Sequence, residues 1–168
     1  VGNEHLEEFY SSEDCVRARQ QHLEGIISLF PWIATVDAFQ HWIYTHPTHS
    51  VEERDAAWNG LLDRFGGDID WSCYELARTK MWHRQSHIFL VPFYYIEYGI
   101  AQLGALGVWK NSKFDRAQAL ADYKRALALG GSRPLPELFA AANIPFRFDT
   151  EAFEPLVELI QTELAALK

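Results

Sequence analysis

Helix punctuation recurs along this chain with no period-two run of useful length between the stops, and that limits the fold more than any other feature. Ser50 followed three residues later by Glu53 forms a capping box ahead of "VEERDAAWNGLLDRF", and Gly66-Gly67 closes that segment. Ser72 and Glu75 repeat the pattern, predicting a helix through "YELARTKMWHRQ". Ser11 or Ser12, with Glu13 and Asp14 behind it, opens "EDCVRARQQHLEGIISLF". Pro31 is expected to end or kink that helix and to start the next, "PWIATVDAFQHWIY", which stops before Pro47. Pro92 is expected to begin "PFYYIEYGIAQLGALGVW", where Gly99, Gly104 and Gly107 suggest close approaches. An amphipathic helix after Ser112 ends at Gly130-Gly131, and a short one runs from Pro134 to about Asn143. The last reaches Leu167, with Glu154 near its cap and Pro155 in its first turn. The expectation is an all-α fold of about seven packed helices.

Without linker, repeat or low-complexity segment, residues 1–168 read as a single helical segment. Hydrophobic residues make up 48% of the chain, enough for a substantial core. A net charge of -8, with the 15 lysines and arginines scattered, excludes nucleic acid as a partner, because a phosphate backbone needs a clustered positive face. No apolar run approaches the ~18 residues of a membrane span, and the first residues lack a signal-peptide pattern. Cys15 and Cys73 stand far apart, so a reducing, cytoplasmic setting is expected, with both as small buried apolar residues. The chain begins with Val1 rather than methionine, and is expected to start partway through a longer protein.

The sharpest chemical signal is "HRQSH", in which His83 and His87 have the spacing of H-E-x-x-H. A catalytic zinc needs a third ligand and a base, however, and Arg84 serves as neither. His46 and His49 in "HPTHS" are not tied to His83 by any spacing. Asp37 and His41, four apart, read either as a carboxylate orienting an imidazole or as a structural polar pair. In "HIFLVPFYYIEYGIAQ", Tyr94, Tyr95 and Tyr98 fall three and four residues apart beside Glu97. Phenols donate hydrogen bonds while uncharged, which suits them to a developing oxyanion; equally, tyrosines on a buried helix serve as core.

"DAFQHWIYTHPTHSVEER", "RQSHIFLVPFYYIEYGIAQLGALGVW" and "YKRALALGGSRPLPELFAAANIPF" together resemble the C-terminal part of the oligoendopeptidase F family, helical zinc peptidases related to thimet oligopeptidase. The resemblance implies a peptidase acting on short peptides in a helical channel. Its zinc would be held by an H-E-x-x-H helix and a glutamate on a following helix, both in an N-terminal part that this chain lacks; "VGNEHLEEFY" resembles the continuation of that second helix. No zinc ligand is expected within the chain. The family's cleft wall carries a histidine and a tyrosine cluster, to which His87, Tyr95 and Tyr98 are similar. Tyr98 would polarise the scissile carbonyl, Tyr95 would support it and His87 would hold the peptide, with Tyr94 and Arg84 as further substrate contacts. Expected partners are short peptides and the rest of the same protein, and an uncovered tyrosine-lined face would favour self-association. The contrasting expectation is a catalytically inactive all-helical binding or interaction module.

Overall fold

A computed structural model describes residues 2–167, with side chains from His5 to Leu167. Eight α-helices and two 3-10 helices form the described residues, and no strand occurs among them. The helices are α1 (Ser12–Thr45), α2 (Val51–Phe65), α3 (Glu75–Lys80), α4 (His87–Leu90), α5 (Ile96–Phe114), α6 (Arg116–Leu129), α7 (Leu135–Ala141) and α8 (Thr150–Ala165). The all-α class is as the sequence predicts. No helix among the described residues is long and apolar enough to cross a membrane.

Two compact units share this chain, one made of Val1–Gly25 and Ala101–Lys168, the other of Ile26–Ile100. The unit Ile26–Ile100 is built on aromatic packing. Val36 and Phe39 of α1, Trp58 and Leu62 of α2, Trp82 and Ile88 form its buried core, with Trp32, Ile43, Leu61, Met81 and Tyr95 packed against it. Phe39 meets Trp58 edge-on at 5.0 Å between centroids, and the Trp58 indole N–H donates to the Arg78 carbonyl at 3.0 Å. That bond leaves no cost for burying the polar edge of the largest fully enclosed side chain.

In the other unit, α6 and α7 pack together, and Asp122, 4% exposed, is paired with Arg125 at 2.8 Å and accepts a hydrogen bond from the Gln118 amide at 2.7 Å. Gly107 of α5 is required by a close approach, because a Cβ there would lie 2.6 Å from Ile144 Cγ2. Isoleucine is stiff at χ1 and cannot swing aside. Gly107→Val should therefore destabilise the protein by about 1–3 kcal/mol through overpacking. Gly60→Ala, in open space on α2, should stabilise it by up to about 1 kcal/mol. Thermal unfolding should show melting shifts of opposite sign, and shifts of equal sign would contradict these packing assignments.

Several boundaries differ from the sequence reading, each for a local reason. Pro31 does not end a helix: α1 continues through it, the Thr35 hydroxyl donates to the Pro31 carbonyl at 2.8 Å, and Ile33, Val36 and Phe39 beyond it are buried. Burial of that face outweighs one missing N–H bond. Ser72 does not cap a helix, because its N–H and hydroxyl both donate to Asp70 while Glu75 accepts from the Cys73 N–H. Cys73 is exposed rather than buried, with φ +69°, and the following helix starts from an uncapped Tyr74. It is also broken: α3 passes into a 3-10 turn over Met81–Arg84, so His83 and His87 do not share a helix. Pro92 lies in a turn ahead of α5, which starts at Ile96. That helix runs past Ser112, and Asp115 caps α6. Asp149 rather than Glu154 caps α8, leaving Pro155 inside it. Residues Gly2–Glu8 form a 3-10 rather than an α-helix; Val1, with any residue before it, lies outside the described residues.

Candidate functional site: a histidine and tyrosine cluster

The breaks around residues 81–95 decide where the chemistry-bearing side chains go. Met81–Arg84 is a 3-10 turn, α4 is a single turn, and a turn closed by the Tyr94 N–H on the Val91 carbonyl precedes α5, so that His87 meets Tyr98 in the first turn of α5. The His87 imidazole Nε2 lies 3.0 Å from the Tyr98 hydroxyl. Around it the rings of Tyr95, Tyr98 and Tyr94 stand at centroid distances of 5.1, 5.6 and 6.3 Å. Tyr95 and Tyr98 meet edge-on at 5.1 Å, an attractive geometry for aromatic quadrupoles. The predicted residues His87, Tyr94, Tyr95 and Tyr98 are thus brought together, although Tyr94 and Tyr95 precede the helix on which all three tyrosines were expected.

Both imidazole nitrogens of His87 have a partner: the Gln85 amide lies 2.7 Å from Nδ1 and the Tyr98 hydroxyl 3.0 Å from Nε2, which fixes the ring between them. On the other side the Trp32 indole N–H, a donor only, gives its proton to the Tyr95 oxygen at 3.0 Å. The Tyr95 oxygen thus accepts one bond from a fixed donor and keeps its own hydrogen to give away, while the Tyr98 hydroxyl is paired with His87 Nε2. Tyr98 is 42% exposed and Tyr94 51%, while Tyr95 is half-buried against the aromatic core, so this face presents phenol groups to solvent from a packed base.

Arg84 stands apart from the hydroxyls, its guanidinium 5.7 Å from the Trp32 ring centroid, where it adds positive charge behind the Trp32 to Tyr95 bond. The sequence reading missed Trp32 and Gln85. Trp32 reads as core from its neighbours, and Gln85 was passed over inside "HRQSH". A groove of about 1010 Å3 in the same unit is lined by Trp32, Asn59, Asp63, Trp71 and Arg78 among others. It shares Trp32 with the cluster but none of the imidazole or phenol groups, so hydrogen-bond geometry rather than concavity marks the site.

The other histidines do not gather. His83 lies edge-on to Trp82 at 4.1 Å. His46 and His49 pack on Trp42 with their Nδ1 atoms against backbone carbonyls. His41 approaches Asp37 at 3.5 Å on the same helix. Among the described residues no group of three or more His, Cys, Asp or Glu side chains is placed to hold a metal ion. No donor set among the described residues fits the zinc that the family resemblance implies.

The solved structures to which this fold is similar are helical peptidases. One, an oligoendopeptidase F crystallised by microfluidic seeding, matches with a TM-score of 0.80 at 36% identity, over 91% of this chain and 27% of its own. PZ peptidase A with an inhibitor matches with a TM-score of 0.85 at 33% identity, over 92% of this chain and 28% of its own. An oligoendopeptidase F from Bacillus anthracis str. Ames gives 0.72 at 29% identity, over 94% and 25%. The sequence matches Peptidase family M3 over residues 2–155, and the chain belongs to that family. It spans about a quarter of the length of the structures it matches. Comparison with curated proteins gives no match.

Proposed function

We propose that this chain is the substrate-facing wall of a zinc-dependent oligoendopeptidase that hydrolyses short peptides, with the zinc ligands supplied by the rest of the protein. One observation carries the reading. The Tyr95 and Tyr98 hydroxyls are each held by a partner within the chain, Tyr95 by the Trp32 indole N–H and Tyr98 by His87 Nε2, and with Nε2 as the donor both phenol hydrogens are available to a substrate oxygen. As negative charge grows on the carbonyl oxygen of a peptide under attack, neutral donors held in place strengthen their bonds without reorganising, which lowers the barrier. Tyr98, the more exposed and the one hydrogen-bonded to His87, acts on the scissile carbonyl; Tyr95 supports it, and His87 sets the direction of the Tyr98 hydroxyl while contacting the peptide. Tyr94 and Arg84 line the approach.

Zinc chemistry belongs to the missing part, and this chain contributes binding and charge stabilisation. A cytoplasmic setting is part of the same reading, in keeping with the two unpaired cysteines, Cys15 and Cys73.

The test uses the whole protein and a short internally quenched peptide. Cleavage should be abolished by a chelator and restored by zinc, whereas this chain by itself should cleave nothing with zinc added. His87→Ala in the whole protein should lower kcat/KM by about 10- to 100-fold, the order expected when a group orienting a transition-state donor is lost. A whole protein that binds short peptides but never cleaves them would instead favour a helical binding module, and wild-type turnover by the His87 variant would remove that residue from the site.

A further inference from the structure

Phe93 is the residue at which side chain and backbone disagree. Its φ is +62°, in the left-handed region that a bulky residue rarely occupies. The Tyr94 N–H donates to the Val91 carbonyl at 3.1 Å, closing a four-residue turn over Val91–Tyr94. Pro92 holds the second position at a φ near about -65°, and a positive φ at the third then defines a type II turn, whose third position favours glycine or asparagine. Phenylalanine stands there against that preference.

Its ring shows what holds it. It lies 4.9 Å from the His41 ring and 4.9 Å from the Tyr44 ring, both on α1, and His41 is itself steadied by Asp37 at 3.5 Å. Core burial does not account for the arrangement, because Phe93 remains 38% exposed and lies outside the buried cluster. The turn leads directly into the site: Tyr94 closes it, Tyr95 comes next, and the Glu97 and Tyr98 N–H groups bond back to the Tyr94 and Tyr95 carbonyls at 3.0 and 3.3 Å.

We propose that Phe93 is a positioning residue: its ring, seated between His41 and Tyr44, locks the Val91–Tyr94 turn in a strained conformation and so sets the places of Tyr95 and Tyr98. The inference rests on the reading of Tyr95 and Tyr98 as substrate-facing donors. A turn relaxed by glycine would be at least as stable, yet it would be free to sample other geometries, and the phenol hydrogens would lose their common aim.

The experiment compares Phe93→Gly, Phe93→Tyr and the double variant His41→Ala/Tyr44→Ala in the whole protein, with short-peptide kinetics and thermal unfolding. Phe93→Gly should keep or raise the melting temperature while kcat falls about 10-fold and KM changes far less, the pattern of misaligned donors rather than lost binding. Phe93→Tyr, which keeps a ring between His41 and Tyr44, should restore kcat. The double variant, which removes the ring's partners and leaves Phe93 in place, should reproduce the loss and covers the case in which the glycine variant fails to fold. Wild-type kcat in both Phe93→Gly and the double variant overturns the proposal. If Tyr98→Phe is impaired at the same time, only the positioning role falls; if Tyr98→Phe is also fully active, the site reading falls with it.

Discussion

Tyr98→Phe in the whole protein should lower kcat for a short peptide by about 100- to 1000-fold with little change in KM, the loss associated with removing one oxyanion donor. The ring stays, so its edge contacts with Tyr95, at 5.1 Å, and with His87, at 5.6 Å, are kept and the fold is unaffected. What disappears is the hydroxyl, and with it both the bond to His87 Nε2 and the hydrogen offered to the substrate in the proposed reading. A second consequence separates this role from packing. With the donating hydroxyl gone, a transition-state analogue carrying a tetrahedral oxyanion should weaken in proportion to kcat/KM, whereas a ground-state peptide analogue should not. Turnover within about threefold of wild type would exclude Tyr98 as the donor, and the same experiment on Tyr95→Phe would then identify whether the Trp32-backed phenol takes that place.

The largest structural effect should come from Trp58→Ala, with a loss of about 3–5 kcal/mol in stability of the unit Ile26–Ile100. Trp58 is fully enclosed, touches Phe39 and Trp32 edge-on at 5.0 and 5.8 Å, and ties α2 to the Arg78 carbonyl. Truncation removes the transfer energy of the indole, opens a cavity among stiff rings and leaves the Arg78 carbonyl with the Met81 N–H alone. Native-state hydrogen exchange in the whole protein should show the drop in the amides of α1 beyond Ile26 and of α2, with those of α6 and α8 much less affected. A change below about 1 kcal/mol would mean that the site collapses around the vacancy. Because Trp32 loses its neighbour, whatever folded variant remains should also turn over more slowly through the Trp32 to Tyr95 bond.

The helical class was legible because the signals that make it are local. The capping box at Ser50 forms as read, with Glu53 N–H on the serine hydroxyl at 3.2 Å and the Ser50 N–H on Glu53 at 2.8 Å. Gly130 ends α6 with φ +54°, where a side chain would be strained. Where the prediction failed, a competing local bond or a buried face won. Asp70 took both donors of Ser72, and the Pro31 interruption was overridden by the packing of Ile33, Val36 and Phe39.

The candidate site was legible in part. Its residue types, His87, Tyr94, Tyr95 and Tyr98, stood together in one stretch and in the family resemblance, and a helical spacing of three and four was a wrong route to a correct neighbourhood. Composition and charge set the limits of what the chain could be: an acidic, aromatic-rich helical body with no basic face. Only the tertiary structure decided which partner each hydroxyl has. Trp32 reaches Tyr95 across 63 residues of sequence, and His41 and Tyr44 hold a turn far along the chain, a separation visible in the numbering but not in any period. Helix signals act within one or two turns of chain, where a few backbone angles and one side-chain bond suffice. Hydrogen-bond partners and ring seats depend on how distant segments meet in space, and that is set by the burial of Phe39, Trp58 and Trp82 together, not by any one of the segments they join.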